Sequence, residues 1–363
     1  MTLLATAAAL GVVSVVIVLL RHRRSRSQQP AILAVYESRP ASKGKPWYAE
    51  VAVSDCGGRY ACGANETVRG LHLGSASNPP ESLVRLERDA VSGAWLPVAG
   101  SILKPHIQFT LLAFAWLERG FEAESRALLV GVAGGSLLHF WRECVPGGLA
   151  LPVDAVEYDG AVLEAARAHL GLSACEPPHG RCSLHVKDGA AFLQRAEDEA
   201  YDLVVIDLDM GALIDASKPS QPSNGGAKPD GGAPSDAARR RKRAAPADPT
   251  RDMYRVLSSR GVLVINEYSE EAPSVRLESS LRLVRLLRRF FPEVHQIRTN
   301  TDHNIMLIAP VEVSSVGSTI LDLAQRAQRA CLGRDPARAA LAALVEQASY
   351  MPPNRYQVYS NTS

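Results

Sequence analysis

The sequence has little cysteine, and no pair of its cysteines shows the spacing of metal ligands. Six cysteines are scattered through 363 residues, without a CxxC pair and without histidines at the spacing of a zinc site. This excludes a small fold built on disulfide bonds, and we expect reduced thiols and no metal. Aromatic residues make up only 6% of the chain, but 46% of the residues are hydrophobic, which excludes wholesale disorder.

The chain also lacks a large net charge of either sign. Its 40 basic and 38 acidic residues give +2, but nine of the basic residues lie in two short runs, at residues 21–26 and 239–243. Without those nine, 31 basic residues face 38 acidic ones, so the body of the protein is acidic. We therefore expect no nucleic-acid partner.

Charged residues are absent from residues 2–20, which are almost entirely apolar. At 1.5 Å per residue, about twenty residues in a helix span the roughly 30 Å of a bilayer core. The basic linker at residues 21–30 follows this run, so we expect a transmembrane anchor at residues 1–20, a single-pass membrane protein and a catalytic domain facing the cytosol. An organelle-targeting presequence is the alternative.

The rest of the chain divides by its hydrophobic pattern. Residues 31–100 hold short β-like runs separated by glycine and proline, which predict a small antiparallel β region. In residues 101–311, five apolar strands alternate with helical stretches and a hairpin follows, which predicts an α/β fold with a Rossmann-like sheet of seven strands. Residues 312–363 predict a helical tail.

One segment inside the α/β region cannot contribute to a core. Residues 216–249 contain six prolines and no apolar side chain larger than alanine. Such a segment cannot bury enough surface to offset the loss of chain entropy, so we predict a disordered insert.

A glycine-rich turn follows the first parallel strand, in ALLVGVAGGSLLHF at residues 127–140. Gly131, Gly134 and Gly135 would let the backbone turn tightly and approach a ligand, although a plain strand-to-helix joint also favours glycine. About 25 residues later, the second strand ends at Glu157, where a carboxylate can accept both hydroxyls of a ribose. A solvated carboxylate is the alternative for Glu157, and Asp159 is predicted to cap the next helix.

Three further carboxylates follow the third and fourth strands. Asp188 can accept the amine of an adenine, with Gly189 leaving room for the ring, or it can cap a helix. Asp207 and Asp209 alternate along the chain, so both point to one side. Together they could bind a cation or act as a base, whereas their place at a ligand-facing edge argues against simple solvation.

The order of these motifs resembles that of seven-strand S-adenosylmethionine-dependent methyltransferases, in the spermidine synthase-like branch. Within that branch the chain is most similar to the C-terminal domain of methyltransferase-like protein thirteen. The resemblance covers about residues 101–309 without the insert, and it rests on LLVGVAGGSL, VDAVEYDGAVLEAA, VKDGAAFL, YDLVVIDLD and GVLVINE.

The resemblance implies S-adenosyl-L-methionine as cosubstrate. It implies that Gly131, Gly134 and Gly135 surround the methionine part and that Glu157 binds the ribose. It also implies that Asp188 and Gly189 lie beside the adenine and that Asp207 lies near the sulfonium.

The resemblance also implies an acceptor, a protein or small amine. Aminopropyltransferases of this branch carry a motif similar to GGGDGG at the turn, and this chain has Gly134 in place of its acid. After the fourth strand, the segment DLDMGALID shares little with the motif that those enzymes have there. We therefore expect a methyltransferase that acts on a protein amine, with Asp207 and Asp209 orienting the amine. An aminopropyltransferase and a catalytically inactive domain that binds a nucleoside or partner are the alternatives, and the oligomeric state is left open.

Overall fold

The structure is a computed structural model, and it describes most of the chain. The described residues are 30–41, 48–56, 60, 63–117, 125–144, 151–208, 210, 248–268, 273–299, 304–312, 319–330, 335–351 and 355–360.

The first part of the chain forms a five-stranded antiparallel sheet. Its strands follow one another in space as in sequence: β1 (Ala31–Glu37), β2 (Glu50–Asp55), β3 (Glu66–Leu73), β4 (Ser82–Arg88) and β5 (Trp95–Pro97). Four hydrophobic side chains of this sheet are buried: Val51, Val53, Leu71 and Leu86. They belong to the same hydrophobic cluster as residues of the larger sheet, so the two sheets share a core.

The larger sheet has eight strands in the order β13-β11-β12-β10-β9-β6-β7-β8. Five of its strands are parallel: β6 (Ala127–Val130), β7 (Val153–Glu157), β8 (Cys182–Val186), β9 (Tyr201–Asp207) and β10 (Leu257–Tyr268). Three antiparallel strands extend it: β11 (Glu293–Arg298), β12 (Asn304–Pro310) and β13 (Tyr356–Ser360).

Helices cover both faces of this sheet. They are α1 (Pro105–Thr110), α2 (Ser136–Cys144), α3 (Gly160–His169), α4 (Gly189–Arg195), α5 (Pro249–Arg255), α6 (Pro273–Leu287), α7 (Ile320–Ala330) and α8 (Asp335–Ser349), with 3-10 turns at Leu111–Ala115 and Leu172–Cys175. Leu129 belongs to the hydrophobic cluster that includes residues of α7 and α8, and Val130 belongs to the cluster that includes residues of α6. Neighbouring residues of a strand point to opposite faces, which explains why these strands are apolar throughout.

The predicted α/β architecture is confirmed, but the predicted number of strands is wrong. The eighth strand, β13, lies within the tail that was expected to be helical, and it pairs with β11 through Val294 and Tyr359. The alanine-rich part of the tail does form α7 and α8. The last residues instead contain Tyr356, Val358 and Tyr359, which suit a strand, and the edge of β11 offers them backbone partners.

The expected transmembrane helix is not supported. The expectation of a single-pass membrane protein, which rested on that helix, is corrected with it. In the part of the chain that the structure describes, no helix combines the length and the apolar character needed to cross a bilayer. Residues 1–29, which carried the expectation, lie outside the described residues.

The predicted insert also lies largely outside the described residues. Its last two residues, Asp248 and Pro249, are described and belong to α5 as its N-cap and first residue. Pro249 suits that position because the first backbone N–H groups of a helix have no partner within the helix. The predicted domain boundaries stay predictions.

Candidate functional site

Three neighbouring strands bring candidate residues to the carboxyl edge of the larger sheet. β6 lies between β7 and β9 and pairs in parallel with both. Gly131 follows β6, Glu157 ends β7 and Asp207 ends β9. Three residues that the sequence analysis singled out separately therefore lie side by side at the edge where α/β proteins bind ligands.

Gly131 is required where it stands. Its φ is +94°, and a Cβ atom at this position would lie 2.1 Å from the backbone oxygen of Asp207. The chain can therefore leave β6 toward the turn only with glycine here, since any side chain would collide with β9.

Gly134 and Gly135 make close packing contacts. A Cβ on Gly134 would lie 2.6 Å from the Ser82 Oγ of β4, and one on Gly135, at φ +77°, would lie 2.6 Å from a methyl of Leu172. These two glycines let the turn pack against the first sheet and the second 3-10 turn. Their expected contact with the methionine part of a cosubstrate stays a prediction.

The Glu157 carboxylate lies directly beneath this turn. Its Oε2 accepts hydrogen bonds from the backbone N–H groups of Val132 (3.0 Å) and Ala133 (3.2 Å), and its Oε1 accepts one from Asp159 N (3.2 Å). Glu157 is only 9% exposed, so it is not a solvated strand-end carboxylate. Burial raises the pKa of this carboxyl, and the backbone donors oppose that shift.

Asp159 is a helix cap, as predicted from the sequence. Its side chain accepts a hydrogen bond from Ala161 N (2.8 Å) at the start of α3. The same carboxylate accepts hydrogen bonds from Arg39 N (2.8 Å) and from the Ser38 hydroxyl. Asp159 therefore fastens the segment after β1 to the larger sheet.

Asp188 also caps a helix, and it borders an open cavity. Its Oδ1 accepts a hydrogen bond from Ala191 N (2.8 Å) in α4. A Cβ on Gly189 would lie 2.6 Å from Val130, so this glycine lets α4 approach β6 closely. The cavity measures about 410 Å³ and includes Asp188 and Phe192 in its wall. A role beside an adenine stays a prediction.

Asp207 is held by an amide on the neighbouring strand. Asn266 of β10 donates a hydrogen bond from Nδ2 to Asp207 Oδ1 (2.7 Å), and Asn304 of β12 donates one from its Nδ2 to Asn266 Oδ1 (2.8 Å). Neither asparagine is predicted from the sequence, although Asn266 is a polar residue in the apolar run GVLVIN. Asp209, the other predicted catalytic carboxylate, lies outside the described residues.

Three other polar residues differ in their surroundings. Glu267 is buried and accepts a hydrogen bond from the Ser279 hydroxyl of α6 (2.8 Å), so it faces the helix layer. Tyr268 is largely exposed, and His106 is buried in α1. Among the described residues, no group of three or more histidine, cysteine, aspartate or glutamate side chains could hold a metal ion.

Comparison with known families points to one domain type. Residues 127–216 match the model of the spermine/spermidine synthase domain, and this range begins at β6 and includes the glycine turn, Glu157, Asp188 and Asp207. The chain carries a spermidine synthase-like domain. This confirms the resemblance inferred from the sequence motifs.

Curated relatives of the spermidine synthase-like domain match over part of their length. The chain is 25% identical to a polyamine aminopropyltransferase of Clostridioides difficile (strain 630) over 151 residues, which is 41% of this chain and 44% of that protein. It is 30% identical to one of Prochlorococcus marinus (strain MIT 9301) over 104 residues, 28% of this chain and 33% of that protein. The matches therefore span less than half of these relatives.

One solved structure supports the same fold, and a second is also similar. A probable spermidine synthase from Corynebacterium glutamicum ATCC 13032 matches with a TM-score of 0.50 and 15% identity, over 88% of this chain and 95% of that one. Human methyltransferase-like protein 13 in complex with SAH matches with a TM-score of 0.41 and 19% identity, over 66% of this chain and 93% of that one.

Proposed function

We propose that the spermidine synthase-like domain is a transferase that moves the methyl group of S-adenosyl-L-methionine to an amine, with a protein amine as acceptor. One observation carries this proposal. The buried Glu157 carboxylate lies under the glycine turn, and only β6 separates its strand from that of Asp207, so the acid proposed for the ribose and the carboxylate proposed as base share one edge.

The nucleoside would bind along β7 and β8. The two oxygens of Glu157 accept hydrogen bonds from three backbone donors, two on Oε2 and one on Oε1, which leaves one acceptor site on Oε1 for a ribose hydroxyl. Asp188 and the cavity beside it would take the adenine, since 410 Å³ lies in the range of small-molecule sites.

The chemistry requires positioning and removal of one proton. The amine nitrogen attacks the methyl carbon in line, the carbon–sulfur bond breaks, and the sulfonium leaves as a neutral thioether. The amine loses a proton, which Asp207 would accept. Holding the two reactants in line supplies most of the rate enhancement in such a transfer.

Aminopropyl transfer is the second candidate, because the curated relatives are named polyamine aminopropyltransferases. Against it stands Gly134, at the place where that branch carries an acid for the cosubstrate amine. An acidic side chain at this position would begin 2.6 Å from Ser82 Oγ and could not be accommodated without movement of β4.

Titration calorimetry with the full chain separates these functions. We expect S-adenosyl-L-methionine to bind more tightly than its decarboxylated form, and mass spectrometry to detect a methylated amine product. A clear preference for the decarboxylated form would establish aminopropyl transfer instead. Binding without transfer to any protein or polyamine amine would indicate an inactive nucleoside-binding domain.

Substitution of Glu157 tests the ribose contact. Glu157→Ala should weaken binding of S-adenosyl-L-methionine by about 1–3 kcal/mol, because a charge-assisted hydrogen bond to the ribose would be lost. Glu87→Ala, which removes an exposed carboxylate from β4, is the control and should bind normally. Circular dichroism must show that both variants fold, and unchanged affinity in folded Glu157→Ala would remove Glu157 from the site.

A further inference from the structure

Three polar side chains form a chain of hydrogen bonds across neighbouring strands. Asp207 and Asn266 are register partners in the parallel pair of β9 and β10. Asn304 is a diagonal neighbour of Asn266 across the antiparallel pair of β10 and β12, where Asn266 faces Met306. The three residues therefore lie on one face of the sheet, where their side chains can reach one another.

The direction of these hydrogen bonds follows from Asp207, the first of the three residues. An ionised carboxylate can only accept hydrogen bonds, so Asn266 must turn its amide nitrogen to Asp207. Its oxygen then faces Asn304, which must present its own amide nitrogen. The distances of 2.7 and 2.8 Å agree with this order.

Burial makes the arrangement rigid. Asn266 is 4% exposed and Asn304 5%, so an unpaired amide at either position would lose its hydrogen bonds to water without replacement. The residues of β10 that precede Asn266, Leu263 to Ile265, are buried and apolar. An apolar residue at 266 would continue this pattern, yet the strand places an amide beside Asp207.

We propose that Asn266 is a positioning residue for Asp207, and that Asn304 holds Asn266 in the required orientation. This inference rests on the proposed methyl transfer. Asn266 fixes Oδ1 of Asp207, and no other hydrogen bond to this carboxylate comes from a described residue. Oδ2 is therefore presented to the acceptor amine in one orientation. Asn266 itself has both ends of its amide engaged within the chain and acts through Asp207.

Exchange of the two side chains tests this role in the full-length protein. Asn266→Asp keeps the shape but removes the donor and sets two carboxylates against each other. We expect kcat to fall at least about tenfold, with KM for S-adenosyl-L-methionine within about twofold of wild type. The double variant Asp207→Asn with Asn266→Asp restores a donor and an acceptor, so its melting temperature should recover while kcat stays low.

A matched control replaces another buried amide. Gln296 of β11 is buried and donates a hydrogen bond from Nε2 to Ser280 Oγ (2.7 Å), far from Asp207 in strand order. Gln296→Glu should leave kcat unchanged. If Asn266→Asp does not fold, Asn304→Ala removes the second amide only and should lower kcat about threefold with KM unchanged.

The outcomes separate the two proposals. A kcat within twofold of wild type in folded Asn266→Asp, or a kcat that recovers together with the melting temperature in the exchanged variant, would overturn the positioning role. Absence of methyl transfer by the wild-type chain would overturn the proposed function instead. In that case the melting temperatures alone test the hydrogen bond between Asp207 and Asn266. That hydrogen bond is refuted if the exchanged variant is no more stable than Asn266→Asp.

Discussion

The carboxyl edge of the larger sheet has two sides that are held by different kinds of atoms. On the turn side, residues 131–135 and Glu157 are joined by backbone N–H groups that donate to one carboxylate. On the amide side, side-chain hydrogen bonds link Asp207, Asn266 and Asn304 in addition to the backbone ladders of their strands. The two sides meet where Gly131 passes the backbone oxygen of Asp207.

This difference determines what a substitution does on each side. A change on the turn side alters the path of the backbone, so we expect it to affect stability and the proposed cosubstrate binding together. A change on the amide side leaves the strands paired, because their ladders do not depend on side chains. We therefore expect a change on the amide side to cost the stability of a buried hydrogen bond but to leave the path of the backbone unchanged.

Gly131→Ala should have the largest effect, because Gly131 lies where the turn side and the amide side meet. A Cβ atom 2.1 Å from Asp207 O, at a φ of +94°, adds both steric overlap and backbone strain. We expect a loss of about 3 kcal/mol or more in the free energy of unfolding, measured with urea.

Gly63→Ala is the matched control for this change. Its added Cβ would meet Glu66 at 3.6 Å or more, an ordinary van der Waals contact, and its φ is not in the left-handed region. Its stability should stay within about 0.5 kcal/mol of wild type. Similar stabilities of the two variants would show that β6 and β9 do not approach each other as described.

The two sides also differ in how well the sequence predicts them. The turn side was predictable because glycine spacing after an apolar strand and an acid at the next strand end are local signals. The physical reasons for Gly134 and Gly135 were not, since Ser82 and Leu172 come close only in the fold.

The amide side could not be predicted in the same way. Asn266 gains its role from Asp207, 59 positions earlier in the chain, and from Asn304 on a third strand. Strand β13 is a similar case, because a strand at a sheet edge depends on a partner that is remote in sequence. Periodicity identifies an element but not its neighbour.

Acid should destabilise the protein through His139, which follows the turn side in the chain. His139 lies beneath the turn, donates from Nε2 to Leu170 O (3.0 Å) and is hydrogen-bonded through Nδ1 to the Cys175 thiol (3.3 Å). Burial and the charge of Arg142 lower the pKa of His139 to about 4, from an ordinary value of 6.5. The unfolded chain therefore binds a proton between these values that the folded protein does not, so stability is lost as pH falls from 6.5 toward 4.

Urea unfolding at a series of pH values measures this loss. One proton accounts for at most about 1.4 kcal/mol per pH unit. His139→Gln, which keeps a donor and an acceptor, should flatten the dependence, whereas His179→Gln at an exposed position should not. An equally steep curve for His139→Gln would assign the acid sensitivity to other groups.

Asp188 offers the smallest and most specific test, because capping and ligand binding can be separated there. Asp188→Ser keeps an acceptor for Ala191 N, so stability should be nearly unchanged, whereas Asp188→Ala should lose about 1 kcal/mol by urea unfolding. If the carboxylate also takes the adenine amine, calorimetry should find weaker binding of S-adenosyl-L-methionine in both variants. Asp248→Ala, which removes the cap of α5, is the control and should lose stability but bind normally. Normal binding by Asp188→Ser would confine Asp188 to capping and leave Glu157 as the acid of the turn side that holds the nucleoside.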